Sequence, residues 1–516
     1  MGGELLEGEG IHEGDDGIEP QDDQDICQNA GSAQEENGEE KCDGGENLVE
    51  VLSTTIGHFS PDFNQRLASL NDPRNQDMII YNRETLIWSG LIMMLTKQGA
   101  RLKISNQMRG ENFLENLKQL SGQIDLETAP HGDTPEYLYR QMKPDELEEK
   151  VQVALIRDLI RGRVLEDERL MIRSKSQDGR MDKYYMVVMD GLHTHSFDYE
   201  HCPKCLVQER AKDGQKTWMH YKLQASLVGP SGLCLPMASE WIENEPEYKK
   251  QDCERKAGFR LIKKIREYFP QLKICMILDS LYAELPVMAA LTAAGIEYII
   301  VFKEGSMSWV WEHKEWSKKH LHVEKELIEQ EEKTIEKREA RSHDQRLVRQ
   351  KPRNEQRKVT KTVRYGWINK FEHIDGKRVF NILSCRDEED DQKICDYTWF
   401  ISDGLNLCEE TVNPLSKAGR GRWTIENQGN NMQKNGGYRL KHLYSSDEVS
   451  MKIWNTILDI ACIINQLIER GSLIVLKSFG SIRNIAVKMF EDFIYRVFRK
   501  PLNPPRIQIR LRWDTS

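Results

Sequence analysis

Two carboxylates stand at matching places in two apolar runs. Asp190 closes YYMVVMD and Asp279 closes KICMILD. An ionised carboxylate at the end of a buried strand is costly unless water or a cation reaches it. The mouth of a sheet is also where ligands and metals bind. Each Asp is followed by a small residue, Gly191 or Ser280, which leaves room for a ligand. A third carboxylate, Glu426, lies in RGRWTIENQGNN, four residues after Arg422, so on a helix the two share a face. Alone, that pair reads as a surface ion pair worth about a few tenths of a kcal/mol. Together, the three carboxylates call for a hard divalent cation, Mg²⁺ or Mn²⁺. Mg²⁺ takes oxygen ligands and phosphate oxygens while keeping some waters. Two such ions roughly 3.5–4 Å apart clamp the attacking and leaving oxygens of an in-line displacement at phosphorus. Arg422 could then hold a phosphate bidentately, and Trp423 could stack on a displaced base.

A second group of residues has softer chemistry. HSFDYEHCPKC, which opens at His195, with the upstream His193 and the later His220, puts a Cys-x2-Cys pair among several imidazoles. Cys202, Cys205 and His220 form the expected ligand set of a tetrahedral Zn²⁺, with His195 or else His201 as the fourth. Such an ion would staple the loop after the first catalytic strand. The competing reading is a loop with free thiols.

The elements that must position these residues follow from periodicity. YYMVVMDG is a short apolar strand followed by a polar loop. YKLQASLV and LCLPMASEWI, separated by GPSG, form a hairpin. KKQDCERKAGFRLIKKIREYF is an amphipathic helix, LKICMILD a buried strand, ELPVMAALTAAG a helix ending at Gly295, and IEYIIVFK a further strand. This order predicts an α/β domain with a mixed sheet, three strands in a meander followed by helical crossovers. Residues 309–358 hold a mixed-charge segment read as an exposed helix. TKTVRYGWINKF, RVFNILSC and YTWFISD then alternate like strands, an insertion that interrupts the α/β domain. GRWTIENQGNNMQK is a polar helix, and IWNTILDIACIINQLIERG and NIAVKMFEDFIYRVFRK are further helices. RIQIRLRW is an edge strand or a basic arm.

Upstream, residues 48–175 read as mainly helical. LIWSGLIMMLTKQGARL is one helix and PDELEEKVQVALIRDLIRGRVL another. Basic residues cluster at Arg101, Lys103 and Arg109, then at Arg157, Arg161, Arg163, Arg169, Arg173 and Lys175. They either grip a DNA backbone through charge or form ordinary solvated helix faces.

At this point the residues resemble a family, the DDE transposases of bacterial insertion sequences, specifically the insertion-sequence-four group. The resemblance covers about residues 55–470 and rests on the twin Asp with RWTIE, and on DMIIYNRETLIWSGLIMML and APHGDTPEYLYRQMKPDELE. It implies a ribonuclease-H-like core with Asp190, Asp279 and Glu426 as catalytic triad, spaced by 89 and 147 residues. The second spacing needs the insertion. The group's Tyr-x2-Arg-x3-Glu-x6-Lys signature is matched at Arg422 and Glu426. Gly419 stands at the tyrosine position and Gln433 at the lysine position, with Lys434 one residue later as the expected DNA contact. The resemblance further implies DNA partners (element terminal inverted repeats and target DNA), a homodimer in a synaptic complex, and metal-dependent cleavage and strand transfer. Its rivals are a repurposed, inactive DNA-binding relative and a two-carboxylate glycosidase.

Length and charge fit this reading. The 516 residues carry a formal net charge of −10, but residues 1–46 hold 16 Asp/Glu against Lys41 alone, so the remainder is mildly basic. The expected organisation is a disordered acidic tail (1–46), a helical, DNA-binding N-terminal region (47–180), the first part of the core (181–305), the insertion (306–413), the Glu helix of the core (414–445), and C-terminal helices with a basic tail (446–516). The apolar stretch Leu86–Leu95 is about half the length of a membrane span. No signal-peptide pattern opens the sequence, and 11 scattered Cys suit a reducing compartment. The expected location is the bacterial cytoplasm, at the nucleoid.

Overall fold

The computed structural model describes residues 46–107, 109–174, 180–312, 324–337, 353–373, 378–389, 393–422, 424–499 and 508–512. The acidic tail up to residue 45, Lys175 and Trp423 lie outside the described residues. Among the described residues, no helix is long and apolar enough to cross a membrane.

The architecture is a mixed α/β fold around one long sheet. Its strands are β1 (Leu170–Arg173), β2 (Met181–Phe197), β3 (Leu206–Glu209), β4 (Lys216–Val228), β5 (Cys234–Ile242), β6 (Ile274–Leu278), β7 (Glu297–Val301), β8 (Glu324–Lys337), β9 (Arg353–Glu372), β10 (Val379–Glu389) and β11 (Lys393–Ser402). Five of them build the part that matters here, in the order β5-β4-β2-β6-β7. β2, β4 and β5 are antiparallel, whereas β6 and β7 run parallel to β2. Parallel neighbours need crossovers. These are the helix of Glu254–Tyr268 between β5 and β6, and that of Leu285–Ala293 between β6 and β7.

This sheet is buried on both faces, which is why its strands read as continuous apolar runs. Alternate residues of β2 enter two different cores. Tyr185, Val187 and Met189 join the larger one, while Tyr184, Met186 and Val188 join the smaller. In β6, Met276 faces the first core and Cys275 and Ile277 the second. The larger core is closed by two helices, α1 (Arg83–Leu95) and α2 (Glu448–Arg470), both buried along most of their length. The smaller core is closed by the helix Val412–Arg420 and by Ile425 just beyond it.

Three expectations need correction. The stretch LIWSGLIMMLTKQGARL is two helices: α1 ends at Leu95 and a second begins at Arg101. Between them Lys97 and Gly99 take positive φ values of 55° and 71°, which a helix cannot accommodate. β2 does not stop at Gly191 but continues through the polar HTHSF, paired with β4 on both sides of a bulge at Thr194. Glu324–Lys337, read as helix from its charge, is strand β8. Its register sets Glu326, Glu329 and Glu332 opposite Arg364, Lys361 and Lys358 of β9. A basic partner strand distant in sequence thus overrides a local helix preference. Together β11, β10, β9 and β8 extend the same sheet from β7.

Several of the N-terminal basic residues have internal partners. Arg101 faces Asp133 and Glu136, and Arg157 donates to the Tyr268 carbonyl. Arg161, Arg169 and Arg173 pair with Asp158, Glu166 and Glu410.

Candidate active site

Strand alternation places the two Asp on one face. Asp190 follows Tyr184, Met186 and Val188 at even positions of β2, and Asp279 follows Cys275 and Ile277 on β6, so both emerge on the side of the smaller core. The parallel register ends at Val188–Ile277, and each Asp lies two residues further on. Asp279 is therefore at a strand end as expected. Asp190 is not, because β2 runs on beside β4. It stands where β6 departs and the sheet opens.

Asp279 caps the short turn Ser280–Tyr282, accepting from the Leu281 backbone N–H at 2.9 Å. Glu426 arrives from the same side, on the π-helical turn Ile425–Asn430 that follows the helix closing the smaller core. Ile425 is fully buried and fixes that turn against the sheet, while Glu426 is exposed. Asn430, on the same turn, donates Nδ2–H to Asp190 Oδ2 at 2.6 Å.

The electrostatics show which of these groups share one neighbourhood. The carboxyl of Asp190 is held above the ordinary carboxylate range, first by burial and then by the negative charges of Asp279 and Glu426. The cations of Arg422 and Lys434 pull the other way. The charges of Asp279, Glu426, Arg422 and Lys434 thus all act on Asp190. Trp423 lies outside the described residues.

One member of the cluster escaped sequence reasoning. Glu254, the first residue of its helix, has its pKa pushed up to about 7 by burial, with Asp279 and Asp190 adding to the shift. Tyr282 opposes it by donating its hydroxyl to Glu254 Oε1 at 3.0 Å. A Cβ on Gly191 would lie 2.7 Å from Glu254 Oε2, so the glycine after Asp190 is what lets this fourth carboxylate in. The signal in the sequence was faint, because an acidic residue in a first helical turn is ordinary dipole complementarity.

The donor set fits a hard cation. Its oxygens carry more negative charge than Arg422 and Lys434 offset, and Asn430 Oδ1 is buried without a hydrogen-bond partner beside Asp190.

The sulfur–imidazole residues gather elsewhere. His201, Cys202, Cys205 and His220 bring one ligating atom each within 4.8 Å of one another. His195 is outside that group. Its Nε2 lies 3.2 Å from the His442 carbonyl, and a bulge between His193 and His195 shifts its strand register. Burial pushes the His220 pKa down to about 4 and the Cys202 thiol up to about 12.

No protein-family model matches this chain, and no curated protein matches it. Among solved structures, the chain is similar to one described as the cryo-EM structure of a piggyBac transposase synaptic complex with hairpin DNA. The identity is 9% and the TM-score 0.36, over 87% of this chain and 80% of that one.

Proposed function

We propose that this chain is a metal-dependent DNA strand-cleaving and strand-transferring enzyme, a DDE transposase of the insertion-sequence-four kind. The observation that supports the proposal is that Asp190 and Asp279 emerge on one face where β2 and β6 part, and that the charges of Asp279 and Glu426, from elements far apart in sequence, both act on Asp190. The β5-β4-β2-β6-β7 order, an antiparallel trio followed by two parallel strands through helical crossovers, supports reading the core as ribonuclease-H-like.

The departures from the family signature have physical explanations. Gly419 stands where the tyrosine would be. A Cβ there would meet the Trp399 indole at 2.6 Å, so Trp399 already fills the space. Gln433 stands where the lysine would be and donates to Asp459 Oδ1 at 2.9 Å. The other oxygen of Asp459 holds Lys222 at 2.7 Å, both side chains being fully buried, so that position has its cation from β4. Seven residues after Glu426 an α-helix returns to the same face. A π-helical turn adds one residue to the count. The turn Ile425–Asn430 thus moves the returning position from 433 to 434, and Lys434 is the residue whose charge acts on Asp190.

Asp190, Asp279 and Glu426 would hold Mg²⁺, which when bound supplies Lewis-acid activation of phosphate and attacking oxygen. Asn430 holds the Asp190 carboxylate in one orientation through its amide. Arg422 and Lys434 attract a DNA phosphate to a cluster that would otherwise repel it. One such site serves both hydrolytic cleavage at an element end and attack by the freed 3′-hydroxyl on target DNA, since both are in-line displacements at phosphorus. A homodimer would present two sites to two ends. The test is Asp190→Asn, incubated with terminal-repeat DNA and Mg²⁺. Cleavage should fall to background while end binding persists, and retained cleavage would remove Asp190 from the site.

A further inference from the structure

We propose that His201, Cys202, Cys205 and His220 bind one structural Zn²⁺, His201 through Nδ1 and His220 through Nε2. The assignment does not rest on the DNA-cleavage reading. A tetrahedral Zn²⁺ with bonds of about 2.3 Å to sulfur and about 2.05 Å to nitrogen requires ligand–ligand edges of about 3.8 Å between sulfurs, about 3.6 Å from sulfur to nitrogen, and about 3.3 Å between nitrogens. Four of the cluster's six edges are close to these, and the ligating atoms all lie within 4.8 Å of one another. Cys202 Sγ and Cys205 Sγ are 3.6 Å apart, and His220 Nε2 is 3.7 Å and 3.2 Å from them. His220 Nε2 and His201 Nδ1 are 3.3 Å apart. The sulfurs are too far apart for a disulfide and both thiols are free.

The tautomer of His201 follows from its other nitrogen. Nε2 lies 2.8 Å from the Ser446 carbonyl, which can only accept, so Nε2 carries the proton. In the neutral ring Nδ1 is then a bare lone pair, within 4.8 Å of the other three ligating atoms. This is the usual arrangement in which a ligating imidazole is oriented by a carbonyl behind it. Phe197 stacks on the His201 ring at 4.2 Å and meets His220 edge-on, covering one side of the cluster. Four protein ligands leave no open position, so the ion is structural. Two thiolates with two imidazoles around a single point select Zn²⁺ over Mg²⁺ or Ca²⁺.

The ion joins three parts of the fold. His220 belongs to β4, Cys202 and Cys205 to the connection between β2 and β3, and His201 reaches the residue before the Asp447 cap of α2. Lys204 adds an ion pair to Glu448, the first residue of that helix. Asn244 holds the Cys205 carbonyl at 2.7 Å. The Zn²⁺ would thus fasten the connection after β2 to the head of the helix that closes the larger core.

Elemental analysis of the untagged full chain should give one Zn per chain. Co²⁺ in its place should show thiolate charge transfer and the intense visible bands of tetrahedral cobalt. Cys202→Ser with Cys205→Ser should lose the metal, His201→Asn should lower its occupancy, and His195→Asn should retain it. Should the double variant fail to fold, blocking the thiols of the wild-type chain with a mercurial must release one Zn, read with a chromogenic chelator. Wild-type protein that neither contains Zn nor gives the cobalt spectrum overturns the site. So does full zinc content after both thiols are removed or blocked. Loss of metal from His195→Asn with retention in His201→Asn overturns the ligand set.

Discussion

The carboxylate cluster and the Cys–His cluster are both built around β2, and they hold their charges in opposite ways. At Asp190 the groups are oxygens that repel one another. Burial and the neighbouring Asp279 and Glu426 raise its pKa, and two cations only partly offset them. At His220 the ligating atoms are sulfurs and ring nitrogens, burial pushes the imidazole pKa down to about 4, and four of the six distances between ligating atoms are close to the edges of a zinc tetrahedron. One cluster is an open rim with an exposed Glu426; the other is mostly enclosed, with Cys205 and His220 buried. An open set of hard donors suits an ion that exchanges and meets a substrate, while a closed set of soft donors suits an ion that stays. The difference lies in what each cluster would lose with its metal: chemistry in the first, structure in the second.

The largest test of that contrast is Glu426→Gln. Strand cleavage should fall to background, with the thermal midpoint unchanged or raised, because a source of repulsion has been removed. A folded variant that still cleaves would leave the rim without its third ligand. Cys205→Ala should do the reverse. With a buried thiolate ligand gone, stability should drop by about 3–5 kcal/mol in denaturant titration, the size expected when a structural metal is lost. Buffer exchange separates the two without mutation. Protein passed through a desalting column should keep its Zn²⁺ yet need added Mg²⁺ to cleave, and loss of both metals together would erase the distinction. Asn430→Ala is smaller. It frees Asp190 from its amide partner at 2.6 Å, and loss of such an outer contact should cost about 10–100-fold in activity or Mg²⁺ affinity.

The two clusters were also unequally legible in sequence. Asp190, Asp279 and Glu426 announced themselves because a carboxylate closing an apolar run, or sitting four residues after an arginine, is unusual enough to demand a reason. The Cys-x2-Cys pair was equally visible, but choosing between His195 and His201 was not possible from spacing. A bulge in β2 and the carbonyl of Ser446, 245 residues away, decide it. Glu254 was hidden by a helix start that needs no special account. Lys434 stands one residue past the lysine position of the signature, and the π turn before it, which changes the helical count, is not written in residue types. The strand β8 was lost for a different reason. Glu and Lys are good helix formers, and the chain that makes this segment extended is β9, which enters only after the fold has formed.

The smallest predicted effect probes the residue that joins the rim to its hidden fourth carboxylate. Gly191→Ala puts a methyl 2.7 Å from Glu254 Oε2. The obstacle is the far end of a flexible side chain, so Glu254 can swing aside and the stability loss should be about 1 kcal/mol. Moving it costs its hydrogen bond from Tyr282 and changes the charge facing Asp190 and Asp279. Cleavage should therefore slow while binding of element ends does not change. If Glu254 matters through its position, Glu254→Ala and Gly191→Ala share one cause, and the double variant should be no slower than Glu254→Ala alone. Additive slowing would mean that Gly191 acts on Asp190 through the strand, and Glu254 would then be a neighbour of the rim and not part of it.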